Sequence, residues 1–144
     1  MTLLPILLAA LAGLCVAVQS PSNAMLARST GSVWFASTIS FLGGTAVLLA
    51  IWAAYDRTPL ATVRQAPPWA WIGGLYGVTF VFAVAYATPR LGLAVTLTIA
   101  VAAQLAAALA LDHFGLLGLK PTPVSVTRLA GLALVIGGAL LVRR

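Results

Sequence analysis

Long apolar stretches separated by short polar segments follow one another along nearly the whole chain. A helix that crosses about 30 Å of hydrocarbon needs about 20 residues, and the apolar pattern divides into segments of about that length. The segment from Trp69 to Leu111 would form a helix of about 65 Å, so we divide it at "TPRLG", where Pro89 and Gly92 favour a break. The pattern therefore predicts five transmembrane helices, at residues 3–27, 33–55, 69–88, 91–111 and 124–142.

The composition agrees with that pattern. Of the 144 residues, 62% are hydrophobic and 7% are charged, and the mean hydropathy is +1.08. A soluble domain carries about 25% charged residues, so residues 1–144 are predicted to form a single all-α, multi-pass domain within the lipid bilayer. The lone Cys15 excludes an internal disulfide, and no metal-ligand spacing, phosphate loop or nucleophile–base arrangement is present. We therefore expect no metal, no cofactor and no enzymatic activity.

The net charge of +6 does not indicate a nucleic-acid partner. Most of the basic residues stand singly, and no basic face is spaced to follow phosphates. They fall between the apolar stretches, as charges that flank membrane spans do.

The distribution of these charges bears on orientation. Five spans would put the two termini on opposite sides of the membrane. One side would carry Arg57, Arg64, Lys120 and Arg128, and the other Arg28, Arg90, Arg143 and Arg144. Orientation follows an excess of basic residues on the cytoplasmic side, and here there is none. Two interpretations stay open: one loop dominates or a span is miscounted, or the chain inserts both ways and forms an antiparallel homodimer. Such a dimer would be a ten-helix, inverted-repeat transporter of which one chain is half.

The first predicted span contains an unusually polar stretch, "VQSPSNAMLA" at 18–27. Gln19 and Asn23 are four residues apart and share a helix face, on which Ser22 also falls. Pro21 has no N–H to give to the carbonyl of Ala17. In hydrocarbon these groups need partners. Either they hold helices together or they line a polar pocket.

The other spans offer faces that could complete such a pocket. In the second span, Ser37 and Ser40 group on one side, and in the third, Tyr76 and Phe80 align as either core residues or an aromatic wall. Gln104 is the single strongly polar side chain of the fourth span, either as an interhelical contact or as a ligand contact. The candidate substrate-binding residues are Gln19, Ser22, Asn23, Ser40, Tyr76, Phe80, Thr96 and Gln104.

The acidic residues limit the mechanism. The chain has only Asp56 and Asp112, each at the end of a predicted span. A proton relay through a buried carboxylate is therefore disfavoured, and neutral carboxamides suit a neutral or weakly charged solute.

Several motifs together resemble those of the YdcZ-like family of the drug/metabolite transporter superfamily. They are Gln19 with Asn23, "ISFLGGT" at 39–45, "PRLG" at 89–92, Gln104, and "DHFGLLG" at 112–118. The resemblance implies a five-span protein of the bacterial inner (cytoplasmic) membrane that pairs with an inverted half. This chain departs from the expected pattern at Ala108, where a small hydroxyl residue is expected, so polar recognition on the fourth span would fall to Gln104 with Thr96.

Three functions are compatible with these features. The leading hypothesis is an alternating-access transporter of small organic solutes that works as an antiparallel homodimer. The alternatives are an accessory membrane subunit that pairs with a paralogous half, and a small dual-topology ion channel.

Overall fold

The computed structural model describes residues 3–142, and over that range the chain is helical with no strand. The long helices are α1 (Leu3–Thr30), α2 (Val33–Ile51), α3 (Gly73–Leu91), α4 (Leu93–Phe114) and α5 (Val126–Val142). Arg143 and Arg144, which were counted among the basic residues on one predicted side of the membrane, lie outside the described residues.

Four helical segments are long and apolar enough to cross a membrane: Leu3–Thr30, Val33–Asp56, Pro68–Leu91 and Leu93–Phe114. Helix α5 is also apolar but has 17 residues, which corresponds to about 26 Å against about 30 Å of hydrocarbon. The predicted all-α architecture is thus confirmed, with four helices long enough to span a membrane and a shorter fifth helix at the position of the fifth predicted span.

The described residues form two compact units, which divide between Arg90 and Leu91. In the first unit, α1 packs against α2. The turn between them uses Gly31 at a φ of 74°, a backbone conformation that favours glycine. Ser32 then caps α2, because its hydroxyl accepts the N–H of Phe35 at 3.1 Å.

The connection from α2 to α3 also contains helical turns. Helix α2 continues as a π-helical turn, Trp52–Asp56, which ends at Arg57 with a φ of 50°. Two 3-10 segments follow, Leu60–Gln65 and Pro68–Ile72. Regular α-helix begins at Gly73, later than the predicted start at residue 69.

The predicted break at residues 88–92 occurs at its glycine and not at its proline. Helix α3 continues through Pro89 to Leu91, and Gly92 separates it from α4 with a φ of 83°. Pro89 removes the hydrogen bond to the carbonyl of Ala85, and only Arg90 and Leu91 follow it in the helix.

In the second unit, α4 packs against α5. Helix α4 extends to Phe114 and ends at Gly115 with a φ of 61°, and a Cβ at Gly115 would lie 2.6 Å from Cγ of Pro121. The connecting loop is held to the end of α4, because the N–H of Thr122 donates to the carbonyl of Asp112 at 2.7 Å. Asp112 lies in the last turn of the helix instead of in the predicted loop.

Small residues dominate the buried positions of the first unit. The most buried of them are Ala24, Ala27, Ser20, Ala36, Ser37 and Ala85. Small side chains let helix backbones approach closely, which is how membrane helices gain packing energy when lipid removes the hydrophobic driving force.

Candidate functional site

Gln19 and Asn23 of α1 meet at Ser40 of α2. Gln19 Nε2 and Asn23 Nδ2 each donate to Ser40 Oγ, both at 3.3 Å. Asn23 is buried, with 8% of its surface exposed, and Gln19 lies one turn earlier on the same face. The shared helix face that the sequence predicted therefore meets a hydroxyl of the neighbouring helix.

The serines around Pro21 make hydrogen bonds inside their own helix. Ser20 Oγ donates to the carbonyl of Val16 at 2.7 Å, and Ser22 Oγ donates to the carbonyl of Val18 at 2.9 Å. Back-bonding of this kind satisfies a hydroxyl in an apolar environment. The stretch thus leaves two carboxamides to interact across helices, and Ser22 lies on the exposed side of α1.

The depth of this cluster follows from helix geometry. Gln19 lies nine residues before Arg28, the basic residue in the last turn of α1, which is about 14 Å along a helix. Half of the hydrocarbon thickness is about 15 Å. If Arg28 lies at the membrane surface, Gln19 lies close to the middle of the bilayer.

A cavity of about 210 Å³ opens beside the cluster. It is lined by Gln19, Ser40, Phe41, Gly44, Thr45 and Leu48. After its bond to Ser40, the Gln19 carboxamide keeps its carbonyl oxygen and one N–H, and the serine keeps its own O–H. The cavity can therefore both donate and accept hydrogen bonds, and no lining residue carries a charge.

A second cavity, of about 240 Å³, lies between α2 and α3. It is lined by Trp34, Ser37, Thr38, Phe41, Leu42, Thr45 and Val78. Ser37 is 3% exposed, and its hydroxyl has no hydrogen-bond partner among the residues that the structure describes. Sequence reasoning did not select this cavity; the available signal was the position of Ser37 on the same side of α2 as Ser40.

Phe41 and Thr45 of α2 line both cavities. The Phe41 ring packs on α3 where Gly77 leaves room, because a Cβ at Gly77 would lie 3.3 Å from Cζ of Phe41. At Gly73, one turn earlier on α3, nothing lies within 4 Å of a Cβ built on the backbone.

The other predicted site residues lie elsewhere. Tyr76 is 67% exposed on α3 and Phe80 is half-buried, and neither lines the two cavities beside α2. Thr96 and Gln104 belong to the second unit. Thr96 is buried and donates to the carbonyl of Gly92 at 2.8 Å, while Gln104 is exposed on α4. Of the eight predicted site residues, the structure brings together Gln19, Asn23 and Ser40. A role in solute binding stays a prediction for all eight.

Among residues 3–142, no group of three His, Cys, Asp or Glu side chains is placed to hold a metal ion. Comparison with curated proteins and with solved structures gives no match for this chain. Residues 4–141 match the model of the family described as "Putative inner membrane exporter, YdcZ", which is a family of membrane transport proteins and not of enzymes. Because the match spans nearly the whole sequence, the chain belongs to the YdcZ family of inner-membrane proteins.

Proposed function

We propose that the chain is one half of an exporter of small organic solutes, and that two copies in opposite orientations form the complete transporter. The observation that carries this proposal is the convergence of Gln19, Asn23 and Ser40 beside a cavity between α1 and α2. Polar side chains are expensive in hydrocarbon and, in membrane proteins, face a bundle interior or a cavity. The family description supports export as the direction.

The size of the cavity supports a site that is completed by a second copy. Pockets for drug-sized ligands have about 300–1,000 Å³, and the cavity beside Ser40 has about 210 Å³. An inverted partner would add the same residues across a twofold axis in the membrane plane, which is the plan of many secondary transporters. Gln104, Thr96, Tyr76 and Phe80 are proposed to contribute to the solute pathway of that assembly, with the aromatic pair stacking on the solute.

The chemistry of the lining indicates the class of solute. Carboxamides and hydroxyls hydrogen-bond polar groups without neutralising a full charge. The two carboxylates of the chain are both near helix ends, Asp56 in the turn after α2 and Asp112 in the last turn of α4. We therefore propose a neutral or weakly charged, amphipathic solute, and transport that does not depend on a proton-carrying carboxylate inside the membrane.

Transport by purified protein in liposomes tests the role of the cluster. Solute counterflow would be measured for a panel of radiolabelled neutral amphipathic compounds, with Gln19→Ala and Asn23→Ala as variants. Each is expected to lower the initial rate at least tenfold. Gln65→Ala is the matched control, because it removes the same carboxamide from an exposed segment. Rates equal to wild type in both cluster variants would contradict the proposal.

The antiparallel dimer needs its own test. The C-terminus would be fused to one reporter that is active only in the cytoplasm and to another that is active only outside it. Activity of both reporters is the expected result, since the basic residues of the predicted sides are balanced four to four. Activity of one reporter alone would exclude dual topology and favour an accessory subunit with an oppositely oriented, separately encoded partner. Unitary currents in a planar bilayer would instead indicate a channel.

A further inference from the structure

A third cavity of the first unit, with a volume of about 350 Å³, lies at the C-terminal ends of α1 and α3. Its walls are apolar and small, formed mainly by Ala24, Ala27, Ala85 and Pro89, and two cationic side chains, Arg28 and Arg90, also line it. Neither the solute cluster around Ser40 nor the proposed export mechanism uses these arginines.

Among the residues that the structure describes, no carboxylate pairs with either arginine. The chain has two acidic residues, and both have other partners: Asp112 pairs with Arg128 at 3.4 Å, and Asp56 accepts the hydroxyl of Thr58 at 2.6 Å. Within residues 3–142, the pair of Asp112 and Arg128 is the only ion pair. The cavity therefore combines two like charges, and residues 3–142 supply no acidic side chain to balance them.

The helix ends offset only part of that charge. Arg28 and Arg90 lie in the last turns of α1 and α3, and each helix C-terminus carries about half a negative charge. Two such ends balance about one of the two positive charges. About one positive charge is left for a ligand. If each arginine only capped its own helix, the two would have no reason to line the same cavity.

Arg90 is held in place by a stack of aromatic rings. Its guanidinium lies 3.5 Å from the centroid of the Tyr86 ring, and one N–H donates to the Tyr86 carbonyl. Tyr86 stacks on Phe82 with centroids 6.1 Å apart, and Phe82 stacks on Trp34 of α2 at 4.1 Å. One of the five donors of the guanidinium is used, so the group is fixed in position while four N–H groups stay available. A group held in this way loses little entropy on binding.

We propose that Arg28 and Arg90 form a binding site for a phosphoryl group at this end of the first unit. The planar fork of arginine matches the oxygens of phosphate and gives short, charge-assisted hydrogen bonds. The phosphoryl group can come from a glycerophospholipid, whose headgroup lies at the level of the helix ends and whose acyl chains suit the alanine walls, or from a free phosphate in solution. The site is independent of the proposed export function.

The test is calorimetric titration of the purified full-length protein in a neutral detergent. The probes are dioctanoyl phosphatidylglycerol, dioctanoylglycerol, which has the same chains without phosphate, and inorganic phosphate against chloride at equal ionic strength. Saturable binding of phosphatidylglycerol but not of dioctanoylglycerol is expected. Binding of inorganic phosphate as well would identify a general phosphate site, and binding of the lipid alone would identify a lipid site; both results support the proposal.

Variants decide whether the arginines are responsible. Arg28→Gln and Arg90→Gln are each expected to raise the Kd for the phosphoryl ligand at least tenfold. Arg64→Gln is the matched control, since it removes the same charge from an exposed position outside the lining of the cavity, and its Kd should stay within twofold of wild type. If a glutamine variant does not fold, the corresponding lysine variant replaces it. Lysine keeps the charge but lacks the planar, forked donor group of arginine, so the Kd of the lysine variant should be at least threefold higher than that of wild type.

Two results would overturn the proposal. One is the absence of saturable binding for both phosphatidylglycerol and inorganic phosphate. The other is an equal loss of affinity in Arg64→Gln and in the cavity variants, because that result would mean that the net charge of the protein, and not this cavity, attracts the ligand.

Discussion

Removing the Ser40 hydroxyl tests whether it holds α1 and α2 together. In Ser40→Ala, Gln19 and Asn23 lose the oxygen to which both donate. The two distances of 3.3 Å are slightly longer than the usual 2.7–3.2 Å for such bonds, so each is assigned the average of interhelical bonds in membranes, about 0.6 kcal/mol. Ser40→Ala is therefore expected to lower the free energy of unfolding by about 1.2 kcal/mol.

The free energy of unfolding would be measured by titrating mixed micelles with sodium dodecyl sulfate and following helicity by circular dichroism. Ser29→Ala, on the exposed surface of α1, is the matched control and should cost less than about 0.5 kcal/mol. A double-mutant cycle between Ser40→Ala and Asn23→Ala isolates one of the two bonds. Its coupling energy is expected to be about 0.6 kcal/mol.

The refuting result is specific. If Ser40→Ala is as stable as Ser29→Ala and the cycle with Asn23→Ala gives no coupling, the carboxamides do not depend on this hydroxyl. The two carboxamides would then need another partner, such as the solute or a second copy of the chain.

Three further substitutions test the packing of each unit by the same unfolding titration. Gly115→Ala should lower the free energy of unfolding by at least about 2 kcal/mol, because overpacking adds to left-handed backbone strain of about 1 kcal/mol. Gly118→Ala should lower it by about 1 kcal/mol from strain alone. Equal losses would contradict the contact that crowds Gly115. Gly77→Leu should lower the free energy of unfolding by about 1–3 kcal/mol by displacing the Phe41 ring. Combined with Phe41→Ala, it should cost less than the sum of the two single losses, and additive losses would refute the contact. Arg128→Gln should cost less than about 1 kcal/mol, since its ion pair is exposed, and a loss that persists at high salt would argue against a screened pair.

Much of the architecture could be predicted because the bilayer sets a length scale. The apolar stretches that end at Arg28 and Tyr55 correspond to α1 and to α2 with its π-helical turn, since about 20 apolar residues match the hydrocarbon thickness. The helix boundaries were less accurate. Pro89 was expected to end a helix, yet α3 continues to Leu91, because a missing N–H in the last turn disturbs one hydrogen bond only.

The sequence by itself determined which side chains share a face of one helix. Gln19 and Asn23 are four residues apart, and the period of the α-helix puts them side by side whatever surrounds them. It also determined that both acidic residues stand at the ends of apolar stretches and not within them. These properties depend on neighbours within one helix and on the length of that helix.

Tertiary structure decided which residues of different helices meet. Ser40 accepts hydrogen bonds from Gln19 and Asn23, which lie 21 and 17 residues away along the chain. Arg28 of α1 and Arg90 of α3 line one cavity, although the whole of α2 separates them in the sequence. Periodicity fixes the direction of a side chain around its own helix axis but not the rotation and depth at which a second helix packs against it. The rotation and depth of each helix come from the fit of small residues between neighbouring helices. They bring the carboxamides to Ser40 and the two arginines to one cavity.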